Sequence, residues 1–311
     1  MERLTGEAPL PAAFRGGVIA LGNFDGFHLG HQAVVGRAVA RAQSQGRPAV
    51  VATFDPHPAR YFRPTLPPFQ LTTLDQRARL FAAAGADAML VIPFDDGLAA
   101  LTPDAFVGER LEDRFGAAAV VTGADFTFGR DRAGDVATLA ELGRARGIAA
   151  EVVQPISDAR GPISSSRVRR ALEDGACDEA ARLLTRPFAI DGVVIHGDKL
   201  GRSIGYPTAN VALGDYQRPR YGIYAVRVRL DDGRMFGGAA NLGIRPTFDP
   251  PKELLESHLF DFSGDLYGKR IEVELLAFLR PEIRFDGLAA LTAQMDADCA
   301  EARAILAMAP I

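Results

Sequence analysis

Residues Gly22 to His31 read GNFDGFHLGH, behind the apolar run VIAL at Val18 to Leu21 and ahead of a helical pattern. A buried strand feeding a glycine-bearing loop and a helix start makes an anion site, because first-turn N–H groups lack partners and the helix dipole is positive there. His28 and His31 fall in that first turn. Their His-x-x-His spacing predicts two rings on neighbouring edges of one helical face, both able to donate to a bound anion. Two other readings compete. Zinc needs a third ligand, for which the neighbourhood offers only Asp25. Two solvated surface histidines would need no ligand, yet all five histidines (His28, His31, His57, His196 and His258) sit in glycine-, proline- or acid-rich segments.

From residue 18 to about 156 apolar runs alternate with helical patterns. VIAL precedes a helix over Leu29 to Gln45 closed by Gly46, and AVVATF precedes one over Leu74 to Ala84 closed by Gly85. AMLVIPF leads to a helix capped by Thr102 with Pro103 at its first position, AAAVVTG to a helix over Val136 to Arg146, and IAAEVVQPI ends the series. Valine- and isoleucine-rich strands separated by helices predict a parallel sheet covered on both faces. Ligands of such sheets bind beyond the carboxyl ends of the strands. GNFDGFH, TFDPHP and VTGADF all fall at that edge, so three separated segments are expected in one crevice. Ser164 to Leu184 predicts a further helix or helix pair with a serine cap. Arg167, Arg169 and Arg170 crowd its N-terminal end, where cations gain nothing from the dipole, and this favours an anion between them over merely solvated charges.

Near Thr185-Arg186-Pro187 the composition changes to short alternating strands: FAIDGVVIHG, YGIYAVRVRL, RMFGGAANLG, ELLESHLFDF and KRIEVELLAFL. Their period of two, with the turn signal Asp231-Asp232-Gly233, predicts a small antiparallel β-barrel. A final helix is expected from a cap at Asp286, with Leu288, Leu291, Met295, Cys299, Ala302 and Leu306 as its apolar stripe packed on the core. The expected domains are 1–185 and 186–311.

The chain has 311 residues with 35 basic and 39 acidic side chains, a length that supports two cores without disulfide or metal staples. The −4 charge divides evenly, 20 basic and 22 acidic through residue 185 leaving 15 and 17 after it. Neither part is basic enough to suggest nucleic acid. No signal-peptide pattern and no run approaching ~20 apolar residues is present, so a cytoplasmic protein with no membrane partner is expected. Cys177 and Cys299 then read as reduced, structural thiols. All three lysines, Lys199, Lys252 and Lys269, follow residue 185, which excludes a lysine-bearing Walker A loop from the first part.

The string GNFDGFHLGH with TFDPHP resembles the bacterial bifunctional riboflavin kinase and FMN adenylyltransferase family, also called FAD synthetase. The likeness continues through GADFTFG at Gly123, RAGD at Arg132, ISSSRVRRAL at Ile163, GRSIGYPTAN at Gly201, ANLGIRPTF at Ala240 and ESHLFDFSGDLYGK at Glu256. It covers nearly the whole chain. The resemblance implies an α/β plus β architecture: a Rossmann-like nucleotidylyltransferase domain with a parallel sheet, then a riboflavin kinase barrel with a terminal helix.

By that resemblance the first domain adenylylates FMN to FAD with ATP and Mg²⁺. Gly22, Asn23, His28, His31, Ser164, Ser165 and Arg167 would bind ATP phosphates, while Asp125, Phe126 and Phe128 would line the flavin; core packing is the alternative for the phenylalanines. The attacking FMN phosphate is already anionic, so aimed donors suffice and no general base is needed. The second domain would phosphorylate riboflavin to FMN. That needs a base for the ribityl hydroxyl and Mg²⁺ to shield the γ-phosphate. Glu256 matches the base, and alternation puts His258 on its face. Thr208 and Asn210 match the Mg²⁺- and ATP-binding pair, Gly201 lies in an ATP flap over His196 to Gly205, and Arg280 matches a residue near the flavin. Two positions depart from the family pattern, Thr185 where LLGRPF has glycine and Ser257 where an apolar residue is common; the DPPKELL segment before Glu256 is unusual in its paired prolines.

GRSIG at Gly201 to Gly205 matches the GxSxG elbow of serine hydrolases with His258 downstream, but an elbow joins a strand directly to a helix and Pro207 obstructs one. A non-catalytic flavin or nucleotide sensor would keep the folds and lose the chemistry. A third reading has only one domain active.

Overall fold

The computed structural model describes residues 1–197, 205–245 and 252–308. The chain folds into two units, Met1–Pro67 with Leu74–Ser164, and Pro68–Thr73 with Ser165–Ile311.

In the first unit the apolar runs form β2 (Val18–Leu21), β3 (Ala49–Asp55), β4 (Ala88–Pro93), β5 (Ala119–Gly123) and β6 (Ala149–Val153). The sequence reading missed β1 (Glu2–Thr5), whose ERLT buries only Leu4 and pairs with β4. The sheet is parallel throughout, in the order β1-β4-β3-β2-β5-β6, and a short antiparallel pair, β7 (Ser157–Asp158) and β8 (Gly161–Pro162), follows it. Its two faces carry separate buried clusters, one with Ile19, Val50, Leu90 and Phe115, the other with Val18, Val51, Met89 and Phe81. This double burial is why the strands are continuously apolar. The chain steps from β2 to β3 on one side and later to β5 on the other, so the switch point lies at the carboxyl end of β2.

The helices of this unit are α1 (Leu29–Ser44), α2 (Pro58–Phe62), α3 (Leu74–Ala83), α4 (Asp96–Ala99), α5 (Pro103–Ala105) and α6 (Val136–Ala145). Thr102 caps α5 as expected, its hydroxyl accepting from the Ala105 amide at 3.2 Å, and the helix continues over Phe106–Arg114 with π-helical winding.

In the second unit the predicted helix pair is α7 (Ser165–Glu173) and α8 (Cys177–Leu184). Arg169 donates to the Phe69 carbonyl at 2.7 Å, which ties Pro68–Thr73 to α7. Six antiparallel strands follow: β9 (Phe188–Val193), β10 (Ala209–Ala212), β11 (Gly222–Leu230), β12 (Met235–Arg245), β13 (Lys252–Leu259) and β14 (Arg270–Arg280). Their order is β10-β13-β12-β11-β14-β9. The Ile195 amide donates to the Asn210 carbonyl at 2.9 Å, bringing the two edges together and nearly closing the barrel. The sequence reading missed β10, which is the strand part of PTAN. Side chains such as Val211, Leu242, Leu255 and Val273 are buried completely.

The terminal helix α9 spans Leu288–Met308. It begins after Gly287, whose carbonyl accepts from Leu291, rather than at a cap on Asp286. Its predicted stripe is corrected in part. Ala302, Cys299 and Leu306 pack with Ala225, Ala239 and Phe260, but Leu288 is exposed. Both cysteines are free thiols; burial pushes Cys177 up to about 12 and Cys299 up to about 11. Among the described residues no helix is long and apolar enough to cross a membrane.

Candidate functional sites

The GNFDGFHLGH loop leaves β2 at the switch point. Its turn uses left-handed backbone at Phe24, Gly26 and Phe27, and the two phenylalanine rings drop into the core against Phe81. Beneath the loop Arg77 of α3 donates to Asp25 Oδ1 and to Thr53 Oγ1, each at 3.2 Å, and Thr53 donates to the Asn23 carbonyl at 2.8 Å. Asp25 is therefore committed to an ion pair with a guanidinium, an environment unlike that of a zinc ligand. Sequence reasoning missed Arg77, because an arginine on a helix normally reads as a solvated charge.

His28 is the N-cap of α1, one residue ahead of the first turn in which the sequence placed it, while its ring adjoins that of His31 as the spacing predicts. Its Nδ1 accepts from the His31 amide at 3.4 Å, and its ring stacks on that of His31 with centroids 3.7 Å apart. Gly30 makes this possible, since a Cβ there would lie 3.1 Å from His28 Cε1. An acceptor Nδ1 places the proton of the neutral imidazole on Nε2, which makes that nitrogen a donor. The amides of Leu29 and Gly30 stand at the open end of the helix. Asn23 Oδ1 is buried and has no hydrogen-bond partner among the described residues. Gly22 packs against the Phe24 ring.

The three predicted segments do adjoin. β3 and β5 flank β2, and the Gly22 amide donates to Ala52 of β3. Beyond β5, Asp125 is exposed and Phe126 half-buried, with their turn closed by the Phe126 amide on the Gly123 carbonyl. Phe128 is 7% exposed and packs on Phe106 and Phe126, so its ring fills the core, which was the alternative reading for it. Ser164 ends the first unit. Ser165 and Arg167 begin the second, where Arg167 pairs with Glu179 of α8 at 3.1 Å.

In the barrel, Glu256 of β13 is in register with Asn210 of β10 on one side and Asn241 of β12 on the other. Glu256 and His258 are half-buried while Leu255, Ser257 and Leu259 are buried, which confirms the expected alternation. Asn210 is 4% exposed, and its Oδ1 is buried without a partner among the described residues. Its amide nitrogen packs against Gly197, where a Cβ would come within 2.3 Å. Thr208 immediately precedes β10. A carboxylate beside an unsatisfied amide carbonyl and a hydroxyl is an all-oxygen set of the kind a hard divalent cation takes. The segment is anchored by the Tyr206 hydroxyl on Asp296 of α9, a bond that pushes the phenol up to about 12, and by the Pro207 carbonyl, 3.0 Å from His258 Nδ1.

Gly201 and most of the expected flap lie outside the described residues; of its ends, His196 lies tilted against the Tyr267 ring with centroids 3.9 Å apart. The chain after Pro207 enters a strand, which conflicts with the strand-to-helix elbow of a hydrolase. Arg280 forks onto Asp298 of α9 at 2.6 and 2.8 Å, giving the predicted flavin-side arginine a partner inside the protein.

Comparison with known proteins matches both units in order. A family profile described as FAD synthetase covers residues 10–167, and one described as riboflavin kinase covers residues 184–306. Proteins named bifunctional riboflavin kinase/FMN adenylyltransferase align from Pseudomonas fluorescens (41% identity, 99% of this chain, 98% of that one) and Haemophilus influenzae (36%, 98% and 99%). The protein of that name from Escherichia coli K12 is 39% identical over 93% of this chain and 92% of its own. A crystal structure described as a macrolide-efflux protein from Streptococcus pneumoniae superposes with a TM-score of 0.85 at 31% identity, covering 96% of this chain and 97% of that one.

Proposed function

This chain belongs to the bifunctional riboflavin kinase/FMN adenylyltransferase family, and from that premise we propose that it converts riboflavin to FMN and FMN to FAD, using ATP in both steps. The adenylyl transfer is assigned to residues 1–185 and the kinase to residues 186–311. The observations that support this reading are the stacked His28–His31 pair at a helix start and the Asn210–Glu256 pairing on the barrel, two arrangements suited to phosphoryl chemistry.

In adenylyl transfer an FMN phosphate oxygen attacks the α-phosphorus of ATP and pyrophosphate leaves. Negative charge grows on the α-phosphoryl and leaving oxygens, and His28 Nε2–H, His31 and the α1 amides supply the donors. Gly22 and Asn23 shape the approach to the phosphates, while Ser164, Ser165 and Arg167 are the further ATP-binding residues. Asp125 and Phe126 line the flavin, and Phe128 supports Phe126 from the core.

In the kinase step Glu256 accepts the proton of the terminal ribityl hydroxyl, whose oxygen attacks the γ-phosphorus while ADP leaves. The oxygen donors of Thr208 and Asn210 suit Mg²⁺, which when bound would neutralise the triphosphate. Gly201 and Arg280 are assigned to the ATP flap and to the flavin side.

The test is chromatography of the products from riboflavin, ATP and Mg²⁺, with an FMN-fed reaction alongside. FAD from both feeds with FMN as intermediate is expected. Replacing Glu256 by Gln should abolish the first step alone, and replacing His28 by Ala the second alone. No conversion in either feed would favour a sensor and overturn the proposal.

A further inference from the structure

One register row crosses five strands of the barrel. Asn210 pairs with Glu256, Glu256 with Asn241, Asn241 with Ile223, and Ile223 with Arg280. Residues opposite one another on neighbouring strands share a face, and strands lie ~4.8 Å apart. On the kinase reading above, on which this inference rests, the transferred phosphate lies toward Thr208 and Asn210 and the flavin ring toward Arg280. The ribityl chain then runs from Glu256 past Asn241.

The Asn241 amide is already oriented. Its Nδ2 donates to Glu282 Oε1 at 3.1 Å, and an ionised carboxylate only accepts, so the amide cannot be turned round. Its Oδ1 is buried and has no partner among the described residues. A buried carbonyl held in place with nothing to accept calls for a ligand with a donor, and phosphates offer none at neutral pH. The polyol of riboflavin does. The surroundings fit the rest of that substrate: Glu282 closes against Gly243, and the next residue along each segment, Ile283 and Ile244, is an exposed apolar side chain suited to an aromatic ring.

We propose that Asn241 is a substrate-binding residue whose Oδ1, fixed by Glu282, accepts a hydrogen bond from an internal hydroxyl of the ribityl chain. The full-length protein and its Asn241→Leu and Asn241→Ser variants would be compared with riboflavin and with its 2′-, 3′- and 4′-deoxy analogues. Flavin fluorescence in the presence of ADP and Mg²⁺ reads binding, and phosphorylation reads KM and kcat. The wild type should bind one deoxy analogue roughly tenfold more weakly than riboflavin. Both variants should lose that preference, with KM for riboflavin raised about tenfold and KM for ATP within about twofold. The serine variant carries the test if the leucine variant does not fold.

Variants that phosphorylate riboflavin and still discriminate against the same analogue overturn the role of Asn241 while leaving the kinase intact. A rise in KM for ATP instead of riboflavin overturns it too. A wild-type protein that neither binds nor phosphorylates riboflavin removes the kinase reading and this inference with it.

Discussion

Arg77 Nη2 lies 3.2 Å from Asp25 Oδ1, and both side chains are only 2% exposed. Through Thr53 the same guanidinium supports the Asn23 carbonyl, so one residue of α3 holds the floor of the GNFDGFHLGH loop. Changing Arg77 to Met takes the guanidinium away from a buried carboxylate and should cost about 3–5 kcal/mol. Adding Asp25→Asn should return part of that loss. Chemical denaturation of the single and double variants measures it, and FAD formation should fall while FMN formation is retained.

Gly30 separates loop geometry from helix stability. Alanine is the better helix residue by roughly 0.5–1 kcal/mol, yet its Cβ would press on His28 Cε1 and Nδ1 at 3.1 and 3.2 Å. The Gly30→Ala protein should be at least as stable as the wild type but slower in FMN adenylylation by about tenfold or more, since small displacements of aimed donors are costly. Thermal melting and the FMN-fed assay read the two effects separately.

Thr185, which stands where the family pattern has glycine, ends α8 at φ 62° and ψ 16°. That left-handed conformation costs an L-residue about 1–2 kcal/mol, and the greater unfolded-chain entropy of a glycine offsets part of the gain from relieving it. Thr185→Gly should raise stability by about 0.5–1 kcal/mol and leave both reactions unchanged. An unchanged or lower melting temperature would count against this account.

Ser257, the other departure, is completely buried, and its hydroxyl has no partner among the described residues. Ser257→Ala removes an unpaired polar group and should stabilise the barrel by roughly 1 kcal/mol. Denaturant midpoints of the two proteins decide the sign.

Asp298 receives both arms of Arg280 and a further bond from Gln294 at 2.9 Å. Asp298→Asn should loosen α9, seen as faster amide exchange along that helix, at a cost of about 2–3 kcal/mol. If Arg280 serves only to dock α9, Arg280→Met will raise the KM for riboflavin no more than Asp298→Asn does. A substantially larger rise would support a direct contact with flavin.

What the chain discloses by itself is whatever lies within a few neighbouring residues. The apolar runs, the helix stops at Gly46 and Gly85, the cap at Thr102 and the two-residue period of the barrel strands were all legible, because each is a local match of side chain to backbone period. So were the family motifs, which located His28, His31, Asn210 and Glu256. Tertiary structure decided the rest. β1 and β10 are too polar or too short to announce themselves, and become strands only because β4 and β13 offer them an edge. Arg77 reads as a solvated helix charge until the fold buries it against Asp25, 52 residues away. Asn241 reads as one more strand residue until register places it beside Glu256. These relationships depend on which strands pair and in what register, a choice made by long-range burial and hydrogen bonding that no local window contains.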